Sequence, residues 1–241
     1  MKTIASKLLT ILFIATLFSS CNINMFNRVN GNKNVTTEDR KVSKDFTKIK
    51  VSTGLDLYVT QGSKNKITVE ADENLHDIII TEIEDGTLKI YSEQSIWQAK
   101  ARKIYVTIKT LEEITATSGA DVYAEETIQT DAIKINATSG ADIRISVDAN
   151  SVETNSTSGS DIEVSGVANN HASNATSGSS IDAYGLRSKN VTVKVTSGAD
   201  INVFATESLN ANATSGGDID FKGNPKQIQK KSSSGGSVSA K

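Results

Sequence analysis

Thr117-Ser118-Gly119-Ala120-Asp121 is the first full copy of a five-residue phrase that recurs along the rest of the chain. The later copies begin at Thr138, Thr157, Thr176, Thr196, Thr214 and Ser233. The glycines of successive copies lie 21, 19, 19, 20, 18 and 19 residues apart. Seven copies at nearly constant spacing predict a repeat architecture in which each unit packs on its neighbours.

Each glycine is flanked by segments in which apolar and polar residues alternate, such as Ile133-Lys134-Ile135 before Gly140 and Ile143-Arg144-Ile145 after it. Period-two alternation with β-branched residues is typical of strands with one buried face. Stacked strands about 4.8 Å apart would place each Ile or Val on its equivalent in the next unit. The sequence therefore predicts an all-β fold: a right-handed parallel β-helix (solenoid) with rungs of about 19 residues.

The recurring glycine is expected at a corner of each rung, where φ is positive or the next rung comes close. The Thr and Ser before it and the Asp two positions after it are suited to hydrogen bonds with turn backbone groups. The phrase therefore has a structural explanation that requires no function.

The N-terminus has the order of residues of an export signal. A basic start at Lys2 and Lys7 is followed by an apolar run over residues 8–18 and then by small residues before Cys21. This run is too short for a bilayer-spanning helix, which needs roughly 20 residues. We interpret it as a targeting segment.

Cys21 is the only cysteine of the chain. The segment Leu17-Phe18-Ser19-Ser20-Cys21 resembles a bacterial lipobox, although Phe18 stands where leucine is usual. The resemblance implies a lipoprotein signal peptide over residues 1–20, lipidation of Cys21 and attachment to the outer membrane, on a face that the sequence leaves open. An ordinary signal peptide followed by an incidental cysteine is the alternative.

The rest of the chain divides into three parts by pattern. Residues 21–43 are polar without periodicity and are predicted to be a flexible tether. Residues 44–115 are predicted to be an irregular N-terminal part of the β-helix, with residues 92–102 as an exposed loop, because the 65 residues between Gly54 and Gly119 do not fit the repeat. Residues 116–241 are the regular β-helix repeats.

Three segments, 46–62, 67–75 and 85–90, combine with the Thr-Ser-Gly-Ala-Asp phrases in one order. This combination resembles the head GIN domain family, adhesin-like lipoproteins related by name to auto-transporters and found largely in Bacteroidetes. The resemblance covers about residues 44–240. It implies a right-handed β-helix in which a less regular part precedes the regular rungs, and it brings no catalytic residues with it.

Composition and motifs argue against several classes of function. The net charge of −2 gives no electrostatic footprint for nucleic acid. His76 and His171 are the only histidines and are expected at the surface. The sequence contains no phosphate-binding loop, zinc-protease helix or nucleophile elbow. We therefore expect no enzyme, no catalytic residue and no committed cofactor or metal site.

Stacking would align the aspartates of the repeats along one corner, with Ser180 in the place of a missing member. Unpaired carboxylates about 5 Å apart repel, so each must be solvated, hydrogen-bonded to the backbone or bridged by a cation such as calcium. The glycine-rich nonapeptide of dedicated calcium repeats is absent, which argues against such sites. The candidate ligand or cation ladder consists of Asp121, Asp142, Asp161, Asp200 and Asp218.

Trp97 is the only tryptophan and a candidate sugar-stacking residue, together with Tyr91 and Tyr105. A lone tryptophan in a loop also serves ordinary packing. The Thr and Ser side chains along the rod could in the same way bind a regular ligand or only cap turns.

The leading hypothesis is a lipid-anchored, non-catalytic cell-envelope module for adhesion or for binding a cell-surface carbohydrate or an envelope protein. One alternative is a polysaccharide-degrading enzyme on the same architecture, which carboxylates and a basic residue converging in one groove would support. The other is a purely structural spacer. A monomer is expected, because Lys226, Lys230 and Lys231 discourage stacking on the last rung.

Overall fold

The computed structural model describes residues 28–241, in which nearly all regular structure is β-strand. A short 3₁₀ turn, Glu73–Leu75, lies among the N-terminal strands. These strands are β1 (Arg28–Asn30), β2 (Val35–Arg40), β3 (Lys48–Val51), β4 (Asp56–Gln61), β5 (Lys66–Asp72), β6 (Ile79–Glu84), β7 (Thr87–Ser92), β8 (Ser95–Gln98), β9 (Arg102–Ile108) and β10 (Glu113–Thr117).

The chain after β10 is a stack of parallel strands in register. Asp142 pairs with Asp161 and Ile143 with Ile162, so equivalent residues of successive repeats lie side by side. The stack makes about seven turns of roughly 19 residues, which confirms the predicted solenoid and its rung length. Its right-handed sense stays a prediction. The strands are β11 (Asp121–Thr138), β12 (Asp142–Thr157), β13 (Asp161–Thr176), β14 (Ser180–Val195), β15 (Asp200–Ala213), β16 (Asp218–Lys222), β17 (Gln227–Ser232) and β18 (Ser237–Ala240).

Two consecutive left-handed residues form the corner between successive rungs. At one corner φ is 57° for Ser139 and 68° for Gly140, and the same pair recurs at every copy of the phrase. The N–H of Gly140 donates to the carbonyl oxygen of Ser158 in the next rung, with an N···O distance of 3.3 Å. The positive φ predicted for the glycine is confirmed, and the preceding serine shares it.

The core is a set of columns in which equivalent side chains stack from rung to rung. In most of the regular rungs the residue after the corner glycine is small and buried, as Ala120 and Ala141 show. Ser160 and Ser179 occupy the same column, and the Ser160 hydroxyl oxygen lies 2.9 Å from the carbonyl oxygen of Ala137. Its polar atom is therefore satisfied inside the apolar stack.

The N-terminal strands build a cap on the first rung. Strands β3 and β4 form a rung that contacts β10 and β11 on one side and β7 and β9 on the other. The chain therefore leaves this rung after β4, builds the cap with β5 to β9, and returns to resume the stack at β10. This excursion explains the 65-residue interval between Gly54 and Gly119, since the N–H of Gly54 donates directly to the Ser118 carbonyl.

The polar N-terminal segment differs from the predicted tether of residues 21–43. Strand β2 pairs antiparallel with β5, and β1 pairs with β8. The sequence of β2 does not alternate between apolar and polar residues, so its strand conformation follows from its pairing with β5. The predicted loop of residues 92–102 likewise contains β8. The predicted signal peptide of residues 1–20 and the predicted lipidation site Cys21 lie outside the described residues. Within residues 28–241 no helix is long and apolar enough to cross a membrane.

Candidate functional site

The aspartates of the repeats form one column on the outer face of the solenoid. The register aligns Lys103, Asp56, Asp121, Asp142, Asp161, Ser180, Asp200, Asp218 and Ser237. We call the six aspartates among them the aspartate column. Asp56 was not among the predicted members of the ladder, although Val51–Asp56 is a diverged copy of the phrase and so carries the signal.

Burial and mutual repulsion raise the pKa of several members of the aspartate column. Burial raises the pKa of Asp121, and the neighbouring carboxylates of Asp56 and Asp142 raise it further. Burial and Asp142 together raise the pKa of Asp161. No group of three or more His, Cys, Asp or Glu side chains in residues 28–241 is placed to hold a metal ion. The column thus offers carboxylates in single file and no coordination shell.

A stack of three tyrosines lies beside the N-terminal end of the column. Tyr58 stands between Tyr105 and Tyr123, with ring centroids 5.1 and 5.3 Å away and interplanar angles of 21° and 25°. Of these three tyrosines, only Tyr105 was predicted to contribute to a binding surface, as a neighbour of Trp97. The missed signal is that Tyr58 and Tyr123 each follow an aspartate of the column by two residues, as Tyr105 follows Lys103.

A cleft of about 590 Å³ opens at the same end of the rod, within the range of ligand-binding clefts. It is lined by Lys33, Asp56, Trp97, Gln98, Ala99, Lys100, Ala101, Arg102 and Lys103, and we call it the basic cleft. The Trp97 side chain is 58% exposed, and the Arg28 guanidinium lies 4.3 Å from its ring centroid. Of the predicted aromatic patch, Trp97 lines the cleft, whereas Tyr91 lies on β7 opposite Ile80.

A buried carboxylate fixes the backbone of the basic cleft. The backbone N–H groups of Lys33, Lys100 and Ala101 donate to Asp72 at 2.9 to 3.2 Å. Burial alone would raise the pKa of Asp72, but these three N–H groups hold it below its usual value. A Cβ at Gly31 would lie 1.9 Å from an Asp72 carboxylate oxygen, so this close approach requires glycine.

A smaller groove of about 270 Å³ crosses the middle of the aspartate column. Its carboxylates include Asp142, Asp161, Glu163 and Asp182. The guanidinium of Arg144 is also in this groove, with its Nε 2.9 Å from a carboxylate oxygen of Glu163. Acidic and basic groups therefore meet in one groove.

The expectation that both histidines lie at the surface was wrong. His76 is buried under β2, with its Nε2 3.0 Å from the Thr36 hydroxyl. His171 is buried in the solenoid core, where its Nε2 lies 3.0 Å from the Thr154 hydroxyl. Burial lowers the pKa of His171 to about 4. The alternation of buried and exposed residues along β13 puts His171 on the inward face. The surface position was predicted because histidine is polar.

The fold and these surfaces define a class of protein: a capped parallel β-solenoid whose outer face carries a column of carboxylates, stacked tyrosines and a cationic cleft with an exposed tryptophan. Within that class the chain belongs to the family described as "Putative auto-transporter adhesin, head GIN domain", whose model matches residues 45–225. The family is one of adhesin-like proteins of the cell envelope.

Solved structures of similar proteins agree with this membership. A "putative adhesin" from Bacteroides fragilis is 26% identical with a TM-score of 0.83, over 88% of this chain and 100% of that one. A "putative lipid binding protein" from Parabacteroides distasonis is 24% identical with a TM-score of 0.72, over 89% and 99%. A "putative adhesin" from Parabacteroides merdae is 23% identical with a TM-score of 0.69, over 89% and 99%. The two Parabacteroides proteins share the fold. No curated protein matches the chain.

Proposed function

We propose that the protein is a lipid-anchored module of the outer membrane that binds a carbohydrate or protein ligand and so serves adhesion. The observation that carries this proposal is Trp97, which is 58% exposed at the basic cleft instead of packing in the core. Exposed aromatic side chains combine an apolar face with a polar edge and are common at binding surfaces. Family membership and the name of the Bacteroides fragilis protein support the adhesive role.

A glycan-array screen of the chain, run with calcium and with a chelator, tests ligand binding. We expect binding to one glycan class that Trp97→Ala weakens. Val167→Ala is the matched control, because Val167 is also an exposed apolar side chain (46%) but does not line the cleft. Equal binding by both variants would remove Trp97 from the site. Loss of binding with the chelator would implicate a cation on the aspartate column.

Lipid attachment at Cys21 has a separate test. In cells given a labelled fatty acid, we expect the protein to carry the label and to be found in the membrane fraction. Cys21→Ala should lose both the label and the membrane association. A parent protein without label would favour an ordinary signal peptide with an incidental cysteine, and a Cys21→Ala variant that keeps its label would show that the lipid is attached elsewhere. We also propose that the chain without lipid is a monomer, which light scattering at increasing concentration would contradict by revealing filaments.

The groove that contains Arg144 supports a second candidate, a polysaccharide-degrading activity. Two carboxyl groups and a basic residue in one groove are the groups that such chemistry uses. However, Arg144 is already paired with Glu163, which leaves adhesion favoured. Release of reducing ends from a polysaccharide, abolished by Asp161→Asn, would establish the enzyme, and intact polymer after prolonged incubation would count against it.

A further inference from the structure

We propose that the basic cleft is the adhesive site and that its ligand is an acidic polysaccharide, bound through a carboxylate or sulfate group on a sugar ring. This inference rests on the proposed function and specifies the chemistry of the ligand. It is carried by three properties of the cleft: an excess of cations over carboxylates, a backbone fixed by Asp72, and the exposed Trp97 beside these cations.

Cations outnumber carboxylates in the basic cleft, and three of them have no ion-pair partner among the described residues. Among the described residues, no carboxylate oxygen lies within 4 Å of the charged nitrogens of Lys33, Lys100 or Arg102. Lys103 has only a distant partner, Glu70, at 3.8 Å. Asp56 in the lining and Asp72 beneath it supply two negative charges, against the four positive charges of the lining. The net positive charge attracts an anion, and a ligand in the cleft would contact several cations together.

These cations stand on a rigid frame. The Asp72 carboxylate binds the backbone N–H groups of Lys33 and Lys100, although the two residues lie on different segments of the chain. The pairing of β1 with β8 ties the same segments together, and the N–H of Gly31 donates to the Gln98 carbonyl at 2.7 Å. A fixed backbone lowers the entropy lost when a ligand orders the side chains.

Trp97 distinguishes a sugar from a simple anion. Its ring gives the cleft an apolar surface next to the cations, which matches a pyranose ring that carries a charged group. A lipid would also need apolar surface for its acyl chains. The other large apolar side chains exposed in residues 28–241 are Val167 and Ile228, and neither lines the cleft. The cleft thus fits a charged sugar better than a lipid.

The aspartate column limits how the polymer lies. The column begins at Asp56 in the cleft and continues along the rod to Asp218. A polyanion following the rod would meet this column and be repelled. We therefore infer that the ligand contacts the capped end of the solenoid and not its length.

Binding of defined polymers to the full chain with Cys21→Ala tests the inference. The probes are polygalacturonate and dextran sulfate as acidic polysaccharides, dextran as the neutral polymer, inorganic polyphosphate as a polyanion without sugar, and phosphatidylglycerol vesicles. We expect an acidic polysaccharide to bind, dextran not to bind, and affinity to fall as salt rises.

Two triple variants with the same change in charge locate the site. Lys33→Gln/Lys100→Gln/Arg102→Gln removes three cleft cations and keeps the backbone bonds to Asp72, so binding should weaken at least about tenfold. Lys189→Gln/Lys194→Gln/Lys226→Gln removes three cations outside the cleft and should bind like the parent. Trp97→Ala should weaken binding of the polysaccharide but not of polyphosphate. Asp121→Asn/Asp142→Asn should bind equally or more tightly. Melting curves check that each variant is folded.

Several results would overturn the inference. Equal losses in the two triple variants would indicate nonspecific charge attraction, and binding to vesicles alone would indicate a lipid ligand. A neutral glycan or a protein that still binds the cleft triple variant would overturn the inference and leave the proposed function standing. Failure to bind any of these probes overturns the inference, while failure across the wider glycan and protein screens would also remove the adhesive function.

Discussion

Each corner of the solenoid places two consecutive residues in the left-handed region, and only the second is glycine. An L residue in this region loses roughly 1–2 kcal/mol relative to the right-handed one. The serine is exposed, and its hydroxyl lies about one hydrogen-bond length from the preceding threonine, 3.4 Å between Ser139 Oγ and Thr138 Oγ1. The positive φ of the glycine could be predicted from the sequence, because glycine has no Cβ that opposes it. The positive φ of the serine could not, because serine has no preference for this region.

A pair of glycine substitutions separates conformational strain from collision. Gly140 has a positive φ of 68°, but a Cβ there would meet no atom within 4 Å. Gly166 has φ 111°, and its Cβ would lie 2.0 Å from the Val147 carbonyl oxygen. We expect Gly140→Ala to lower the free energy of unfolding by about 1–2 kcal/mol, and Gly166→Ala by on the order of 4 kcal/mol or more. Urea denaturation measures both, and similar losses would contradict this reading of the corners.

His171 is expected to make the core sensitive to acid. Its pKa is about 4 in the folded protein, against about 6.5 in an unfolded chain. Between these values the unfolded state binds the additional proton, so stability falls as pH drops from about 6.5 to about 4, by about 3 kcal/mol in all. His171→Val should abolish this part of the pH dependence, because valine has no titratable group. Valine suits the column, since Val152 and Val191 stack on either side of His171.

Urea denaturation at pH 7 and pH 5 measures this effect. Thr154→Val is the control, because it removes the hydroxyl that contacts His171 and leaves the imidazole buried. It should therefore keep the loss of stability at pH 5. The assignment fails if His171→Val loses as much stability at pH 5 as the parent protein does.

At the scale of strands, periodicity predicted what repeats and failed where partners are distant in the chain. The strands β11 to β15 carry the same alternation in each rung, so sequence alone placed their inward faces. The cap has no such repetition. Its strand β2 is held by antiparallel pairing with β5, a partner that no repeat in the sequence indicates. The basic cleft shows the same limit. Trp97 attracted attention by its type, but only the pairing of β1 with β8 brings Lys33 near it.

Side-chain ladders join successive strands on the outer faces. The Asn155 amide donates to Asn136 Oδ1 at 3.0 Å, and the Asn174 amide donates to Asn155 Oδ1 at 3.1 Å. Each such bond contributes on the order of 1 kcal/mol. The asparagine ladder and the aspartate column have opposite effects, because stacked amides bond to one another whereas stacked carboxylates repel.

The aspartate column should therefore be relieved by neutralising one member. We expect Asp121→Asn to raise the melting temperature at pH 7. The pKa of Asp121 is raised in the folded state, so its destabilising effect is present above that pKa and disappears as pH falls through it. The advantage of the variant should thus shrink toward pH 4. Asp131→Asn is the control, since Asp131 lies on the same strand but outside the column. An equal gain for both variants would indicate a general charge effect.

At the scale of the whole molecule, stability is distributed over the stack. Each rung contacts mainly the rungs on either side. The pairing of β12 with β13 has an offset of 19 residues, and that of β13 with β14 begins with the same offset before an irregularity after Glu163 adds one residue to β14. A solenoid of this kind behaves as a sum of units and interfaces. The fold therefore does not fix the number of rungs. It does require each rung to place its inward residues on the inward residues of the next.

Deletion of one whole rung tests this property. Removing residues 161–179 joins Ser160 to Ser180 and lets β14 stack on β12 with inward residues on inward residues, for example Ile143 on Ile181 and Val152 on Val191. We expect a folded protein with an unchanged β-sheet circular dichroism spectrum and a lower melting temperature. Removing residues 161–170 takes away fewer residues but breaks the phase, so that inward and outward positions no longer match. That protein should fail to give a cooperative melting transition. The opposite result, a cooperative transition for the shorter deletion and none for the whole-rung deletion, would contradict this account. It would mean that the stacking of equivalent corners and core columns does not specify the fold.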